Sequence, residues 1–172
     1  MGFCLVNNVA VAARELQAVD GVGRVAIVDF DVHHGNGTEA IFRNDPSVLY
    51  ASLHQIGIYP GTGSDADNDA TTVNVPLRAG CGDAEWLHTF ERRIEPAVER
   101  FKPELLLVSA GFDAHEDEDL YLVDQRVTLD GFRELAHRCS GLAPDVAAVL
   151  EGGYNLETLP RLVRAALAGF SS

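Results

Sequence analysis

The chain has 172 residues, with 13 Lys plus Arg against 26 Asp plus Glu and a formal net charge of −13. That length suits a domain of ordinary size, and 47% hydrophobic against 23% charged residues supplies a real core and excludes a disordered tail. The acid excess and the lack of a Lys/Arg cluster argue against a direct nucleic-acid partner, and no apolar run approaches the ~20 residues of a membrane span.

The N-terminus lacks the basic and apolar regions of a signal peptide. Three scattered cysteines, Cys4, Cys81 and Cys139, fit a reducing compartment, so a cytoplasmic protein that avoids membranes is expected.

In chain order, the apolar spacing predicts a helix over 8–19, with Val9, Ala12, Leu16 and Val19 on one stripe. Residues 24–29 (RVAIVD) and 48–53 (VLYASL) read as strands covered on both faces. Residues 57–72 form a long Gly/Asp/Thr-rich loop, and loops of that length are usually functional or mobile. A shorter strand is expected over 72–76 (TVNVP), ended by Pro76. A helix over 83–101 carries Trp86, Phe90, Ile94, Ala97 and Phe101, with Gly82 or Asp83 as its cap. Then follow a strand at 104–109 (ELLLVS), a helix at 129–139 capped by Thr128, a strand at 146–150 (VAAVL), and a last helix from Asn155 to Ala168. Strands alternating with helices define an α/β protein with a mainly parallel sheet.

The unusual residues fall where these strands end. The first strand runs into Asp29-Phe30-Asp31-Val32-His33-His34-Gly35-Asn36-Gly37, and the second into His54 and Tyr59-Pro60-Gly61. The strand at 104–109 runs into Gly111-Phe112-Asp113-Ala114-His115, and that at 146–150 into Glu151-Gly152-Gly153-Tyr154-Asn155. Parallel strands would gather all four loops at one sheet edge, where such sheets bind ligands. Asp31 and His33, two apart on an extended segment, point the same way, and Asp113 would complete three donors with an open position, as in catalytic zinc sites. An Asp-x-His pair is common by chance, so the residues alone leave a metal site and coincidence about level.

The stretch from Asp29 to Thr38 resembles the signature of zinc-dependent histone deacetylases and acetylpolyamine amidohydrolases. The stretch from Ser109 to His115 is similar to their second metal motif, Glu151-Gly152-Gly153-Tyr154-Asn155 to their tyrosine loop, and Gly2-Phe3-Cys4 with Asn7-Asn8 to their tunnel wall. The resemblance implies a three-layer αβα arginase–deacetylase fold and one Zn2+ per chain on Asp31, His33 and Asp113. Tyr154 is implied as the catalytic hydroxyl that meets the oxyanion. Gly2, Phe3, Tyr59 and Gly152 are implied at the substrate, acetyl-lysine in a peptide or an acetylpolyamine. His34 and Asn36 are implied to support the metal ligands. The resemblance further implies K+ at Asp29, Asp31, Ser52, Leu53 and the His33 backbone, and a second K+ at the carbonyls of Phe42 and Val48.

Three departures qualify it. Asn36 stands where some relatives have Asp, which suggests the class II-like or bacterial branch. The adjacent His-His pair that serves relatives as general base and acid lies upstream of their Gly-Phe-Cys segment. Here His33-His34 is the one adjacent pair, and His33 is assigned to the metal. Residues 1–172 are therefore expected to be a single partial domain, lacking the N-terminal portion and leaving a sheet edge open to self-association or to the missing half. Glu116-Asp117-Glu118-Asp119 replaces the usual Asp-Pro-Leu, and with 65–69 it is expected to be solvated surface.

The alternative to an active deacetylase is a catalytically silent, metal-binding half. A manganese ureohydrolase ranks below both, because Gly35 occupies the last position of its Asp-x-His-x-Asp motif. His54 and His115 are expected to be structural, His88 and His137 to be surface residues, Cys81 and Cys139 structural, and Cys4 a small buried hydrophobe.

Overall fold

The computed structural model describes residues 4–172. Its elements are α1 (Asn8–Val19), β1 (Val25–Asp29), α2 (Asn36–Phe42), β2 (Val48–Gln55), β3 (Thr72–Leu77), β4 (Cys81–Gly82), α3 (Asp83–Thr89), α4 (Glu95–Phe101), β5 (Leu105–Ala110), β6 (Gln125–Arg126), α5 (Leu129–Ser140), β7 (Asp145–Leu150) and α6 (Leu159–Phe170). Five strands form one parallel sheet in the order β3-β2-β1-β5-β7, and β4 pairs with β6 separately.

Successive side chains on a strand face opposite ways, and this divides the core in two. Val25 and Ile27, Val48 and Tyr50, and Leu105 and Leu107 pack with Val9, Ala10 and Ala13 of α1 and Phe42 of α2. Ala26 and Val28, Leu49 and Ala51, and Leu106 and Val108 pack with Trp86, Phe90, Phe132 and Leu162 from the other helices. The result is the expected three-layer αβα arrangement. No helix among the described residues is long and apolar enough to cross a membrane.

α1 spans the expected residues because the Asn7 side chain accepts from Ala10 N. Its buried face is Val9, Ala10 and Ala13, while Val19 is exposed beyond the sheet. The segment 83–101 is interrupted by a π-helical turn at Phe90–Ile94. Pro96, at the start of α4, lacks the N–H that would continue the α-helical ladder. β3 runs through Pro76 to Leu77, because an edge strand tolerates a proline whose nitrogen needs no partner. The last helix starts at Leu159. Asn155 instead closes the turn before it, its carbonyl accepting from Thr158 N and Leu159 N.

Two expectations are corrected. β7 is not covered on both faces: it is the edge strand opposite β3, paired with β5 alone among the described strands, and Ala147, Ala148 and Leu150 are exposed. Cys4 is exposed rather than buried, because the segment before α1 lies over a cavity mouth instead of in the core.

Candidate metal centre

The strand order reverses between β1 and β5: the chain runs from β1 outward through β2 and β3, then returns to β5 on the other side. Crevices at such switch points, outside the carboxyl ends of the strands, are where open α/β sheets place ligands. Asp31 and His33 lie just past β1, and Asp113 just past β5. Their donor atoms all lie within 4.8 Å of one another.

Hydrogen bonds fix each donor. Asp31 N–H donates to Asp29 Oδ1 (3.1 Å), and His33 N–H donates to Asp31 Oδ1 (2.8 Å). Val32 N–H donates to Asp113 Oδ1 across the switch point (2.9 Å), leaving Asp113 Oδ2 facing His33. His33 Nδ1 lies 3.0 Å from that oxygen and 3.1 Å from Asp31 Oδ1. The loop after β7 closes the third side: Gly152 N–H donates to Asp31 Oδ2 (2.9 Å), and Phe112 N–H donates to the Gly152 carbonyl (2.8 Å).

The electrostatics call for a cation. Burial, reinforced by the Asp31 charge, raises the pKa of Asp113, which has no exposed surface. Burial opposes a charge on His33, but hydrogen bonds to Asp113 and Asp31 overcome that and raise its pKa. Burial, then Asp31, raises Asp29 as well. Carboxylates gathered in this way are stable when a positive charge stands among them. The donor set, two carboxylates and an imidazole, suits a divalent transition metal. The backbone leaves the room: a Cβ on Gly152 would stand 2.2 Å from Asp113 Oδ2, and one on Gly111 2.3 Å from Asp31 Oδ2. The residues therefore fit a three-ligand metal.

Behind the donors, Asp29 pairs in register with Ser52 on one side and Ser109 on the other. Asp29 Oδ2 accepts from the Tyr50 hydroxyl (2.9 Å), which itself accepts from Gly35 N–H (3.0 Å). Ser52 Oγ meets His54 Nδ1 (2.9 Å), and His54 Nε2 meets the Gly63 carbonyl (2.9 Å), so His54 is structural. Burial, then His34, lowers the His54 pKa to about 4. His34 is buried, with Nδ1 on Thr62 Oγ1 (2.8 Å) and Nε2 on Glu39 Oε2 (3.0 Å), tying the loop at 57–72 to the metal loop. Asn36 opens α2, its N–H donating to the His34 carbonyl.

Asp31 and His33 line a cavity of about 470 Å³, whose other walls include Cys4, Asn36, Tyr59, Glu151, Gly152 and Tyr154. Burial, then Asp113 and Asp31, raises the Tyr154 phenol to about 12, so it keeps its proton at neutral pH. Gly2 and Phe3 lie outside the described residues. His115 is buried, and His88 and His137 are exposed, as expected. Glu118 is not solvated surface: its Oε1 accepts from Tyr154 N–H (2.8 Å) and Asn155 N–H (3.0 Å). Sequence reasoning missed this and the Tyr50 support of Asp29, and no local pattern signals either.

A parallel sheet with three metal-type donors at its switch point defines the class: an α/β protein with a candidate metal centre at the carboxyl edge of its sheet. A profile of the histone deacetylase domain matches residues 1–170, and the chain belongs to that family. It is 46% identical over 169 residues to histone deacetylase 14, chloroplastic, of Arabidopsis thaliana, covering 92% of this chain and 40% of that protein. It is 39% identical to a probable deacetylase of Archaeoglobus fulgidus, covering 98% of this chain and 50% of that protein. The crystal structure of acetylpolyamine aminohydrolase from Burkholderia pseudomallei superposes with a TM-score of 0.90 at 36% identity, covering 99% of this chain and 51% of that one. The HDA15 HD domain gives a TM-score of 0.92 at 39% identity, covering 100% and 52%. The fold is thus the arginase–deacetylase fold, and the chain spans about half or less of the length of these relatives.

Proposed function

We propose that this chain carries the metal-binding part of a zinc-dependent deacetylase site that acts on an N-acetylated amine, either acetyl-lysine in a protein or an acetylpolyamine. The observation that supports this is the convergence of the donor atoms of Asp31, His33 and Asp113, the first two of which line one cavity with Tyr154 and Tyr59. One Zn2+ would be held by the three donors, and when bound it supplies Lewis acidity toward the amide carbonyl and an attacking water.

The chain's own residues do the rest. Tyr154, a protonated phenol, donates one directed hydrogen bond to the carbonyl oxygen as that oxygen gains charge. Gly152, with no side chain, lets the substrate approach the donors closely. Tyr59, with Phe3 and Gly2, grips the aliphatic stem and amide of the substrate. The acidic surface draws a cationic peptide or polyamine and disfavours polyanions. His34 and Asn36 hold the ligand loop against its neighbours. A K+ at Asp29, Ser52 and Leu53 would offset the buried Asp29 charge with hard oxygen donors.

Zinc titration of the purified chain, beside Asp31→Ala and His33→Ala, tests the metal; unchanged affinity in both variants rejects it. Turnover of a fluorogenic acetyl-lysine peptide, lost in Tyr154→Phe, tests the chemistry.

A second reading, a catalytically silent metal-binding half, is favoured by one observation. Of the histidines lining the cavity, His33 faces the carboxylates and His34 has both ring nitrogens engaged, so among the described residues no imidazole there is free to move a proton. On that reading the chain binds zinc without turnover, and a polypeptide carrying a His-His pair restores activity when added.

A further inference from the structure

The loop that carries Tyr154 runs from β7 to α6 and is held at its two ends by different carboxylates. On its N-terminal side, Gly152 N–H donates to Asp31 Oδ2, so this end is tied to a metal donor. Between the two ties, Gly153 sits at φ +123, outside regular secondary structure, and Tyr154 is 44% exposed. On the C-terminal side, Glu118 Oε1 accepts from two consecutive amides, those of Tyr154 and Asn155, and Asn155 Nδ2 donates to the Asp117 carbonyl (3.0 Å).

The acidic loop supplying Glu118 is itself hydrogen-bonded to the second metal segment and to Val127. Glu118 N–H donates to the His115 carbonyl (3.0 Å), Asp117 N–H to His115 Nδ1 (3.2 Å), and Glu116 N–H to the Val127 carbonyl (3.2 Å). His115 is buried two residues beyond Asp113. Charge-assisted bonds from one carboxylate oxygen to adjacent amides are stronger and more directional than neutral ones.

The geometry points to Glu118 as the positioning residue of this site, a latch that fixes the Tyr154 loop against the segment bearing Asp113 and so sets where the phenol stands. The inference rests on the deacetylase reading for what the phenol does, but not for the latch itself. Gln at this position keeps an acceptor oxygen where Oε1 stands, whereas Ala removes it. That separates latching from folding.

The experiment compares the full chain with Glu118→Ala, Glu118→Gln and, as a control whose side chain takes no part in the latch, Glu116→Ala. Amide hydrogen exchange of the metal-free chains is read at Tyr154 and Asn155. Exchange is expected to rise by about tenfold or more in Glu118→Ala and to stay within about threefold in Glu118→Gln and Glu116→Ala. Zinc affinity stays within about twofold in all variants, while kcat on an acetyl-lysine peptide falls about tenfold in Glu118→Ala with KM nearly constant, and Gln restores it.

Exchange at both amides unchanged in Glu118→Ala overturns the latch. So does a kcat loss that Gln fails to restore although exchange is normal. A chain without any turnover fails the deacetylase reading alone, and the exchange measurement still decides the latch.

Discussion

Gly152→Ala puts the crowding at the metal donors to a direct test. The added Cβ would stand 2.2 Å from Asp113 Oδ2 and 2.6 Å from Asp31 Oδ2. The nearer approach is more than about 1 Å inside ordinary contact. Neither carboxylate can step aside cheaply: Asp113 is fully buried and holds Val32 N–H, and Asp31 holds both His33 N–H and Gly152 N–H. Nor can the glycine retreat without breaking its bonds to Asp31 and Phe112. Metal–ligand distances tolerate deviations of about 0.2 Å, so a shift of about 1 Å is disabling. Zinc affinity is expected to fall by about 100-fold or more. Stability should drop by about 1–3 kcal/mol from overpacking, or about 3–10 °C in Tm for a chain of this size. The assay is competitive zinc titration against a chromophoric chelator, with thermal melts of the same samples. Gly141→Ala is the control, since its Cβ would meet nothing closer than Arg138 O at 3.7 Å. Affinity in Gly152→Ala within about threefold of the unsubstituted chain would refute the close-packed geometry of the donors.

Tyr50→Phe strips the buried Asp29 carboxyl and Gly35 N–H of their shared partner. It should cost about 1–3 kcal/mol by urea denaturation and weaken zinc binding about tenfold, because Asp29 orients the Asp31 backbone. Thr128→Ala removes the α5 cap to Gly131 N–H and the hydroxyl's bond to Asp83 Oδ2. It should lower stability by about 1–2 kcal/mol with zinc affinity unchanged, read by melting and titration together. Trp86→Phe leaves Gln125 Oε1 without its buried indole donor and opens a void beside it. The expected loss is about 2–4 kcal/mol in a urea unfolding curve.

The parts of the fold that sequence reasoning reached are those written in short windows. A 3.6-residue apolar period marked α1, and β-branched or leucine-rich runs marked β1, β2 and β5. Asp31, His33 and Asp113 were legible because each lies in the loop just past a strand and their neighbours form compact motifs. α2 has seven residues with Gly37 inside, too few to show a period. The π turn at Phe90–Ile94 follows from Pro96 acting backward on a helix whose apolar spacing is otherwise regular. β7 reads like the inner strands because an apolar run does not state how many neighbours a strand has. Tyr50 and Glu118 escaped for a different reason: their partners lie 21 and 36 residues away, so each is defined only once the sheet is assembled.

The buried carboxylates also set how the chain should answer to metal. Asp29, Asp31, Asp113 and Glu151 stand at one end of the sheet in a chain of net charge −13, and burial opposes the charged forms of Asp29, Asp113 and Glu151. A divalent ion that binds the folded triad, and binds the unfolded chain poorly, stabilises the fold by mass action, about 2.7 kcal/mol at one hundred times Kd. For a chain of this length that is a rise of about 5–10 °C in Tm. The measurement is a melt with chelator and a melt with excess Zn2+, on the chain and on Asp113→Asn. Asparagine keeps the acceptor for Val32 N–H but removes the charged donor facing His33, so the zinc-dependent rise should vanish while the fold persists. An equal rise in both proteins would mean that zinc is held elsewhere, by the chain's other histidines or cysteines, and the three-donor centre would be wrong.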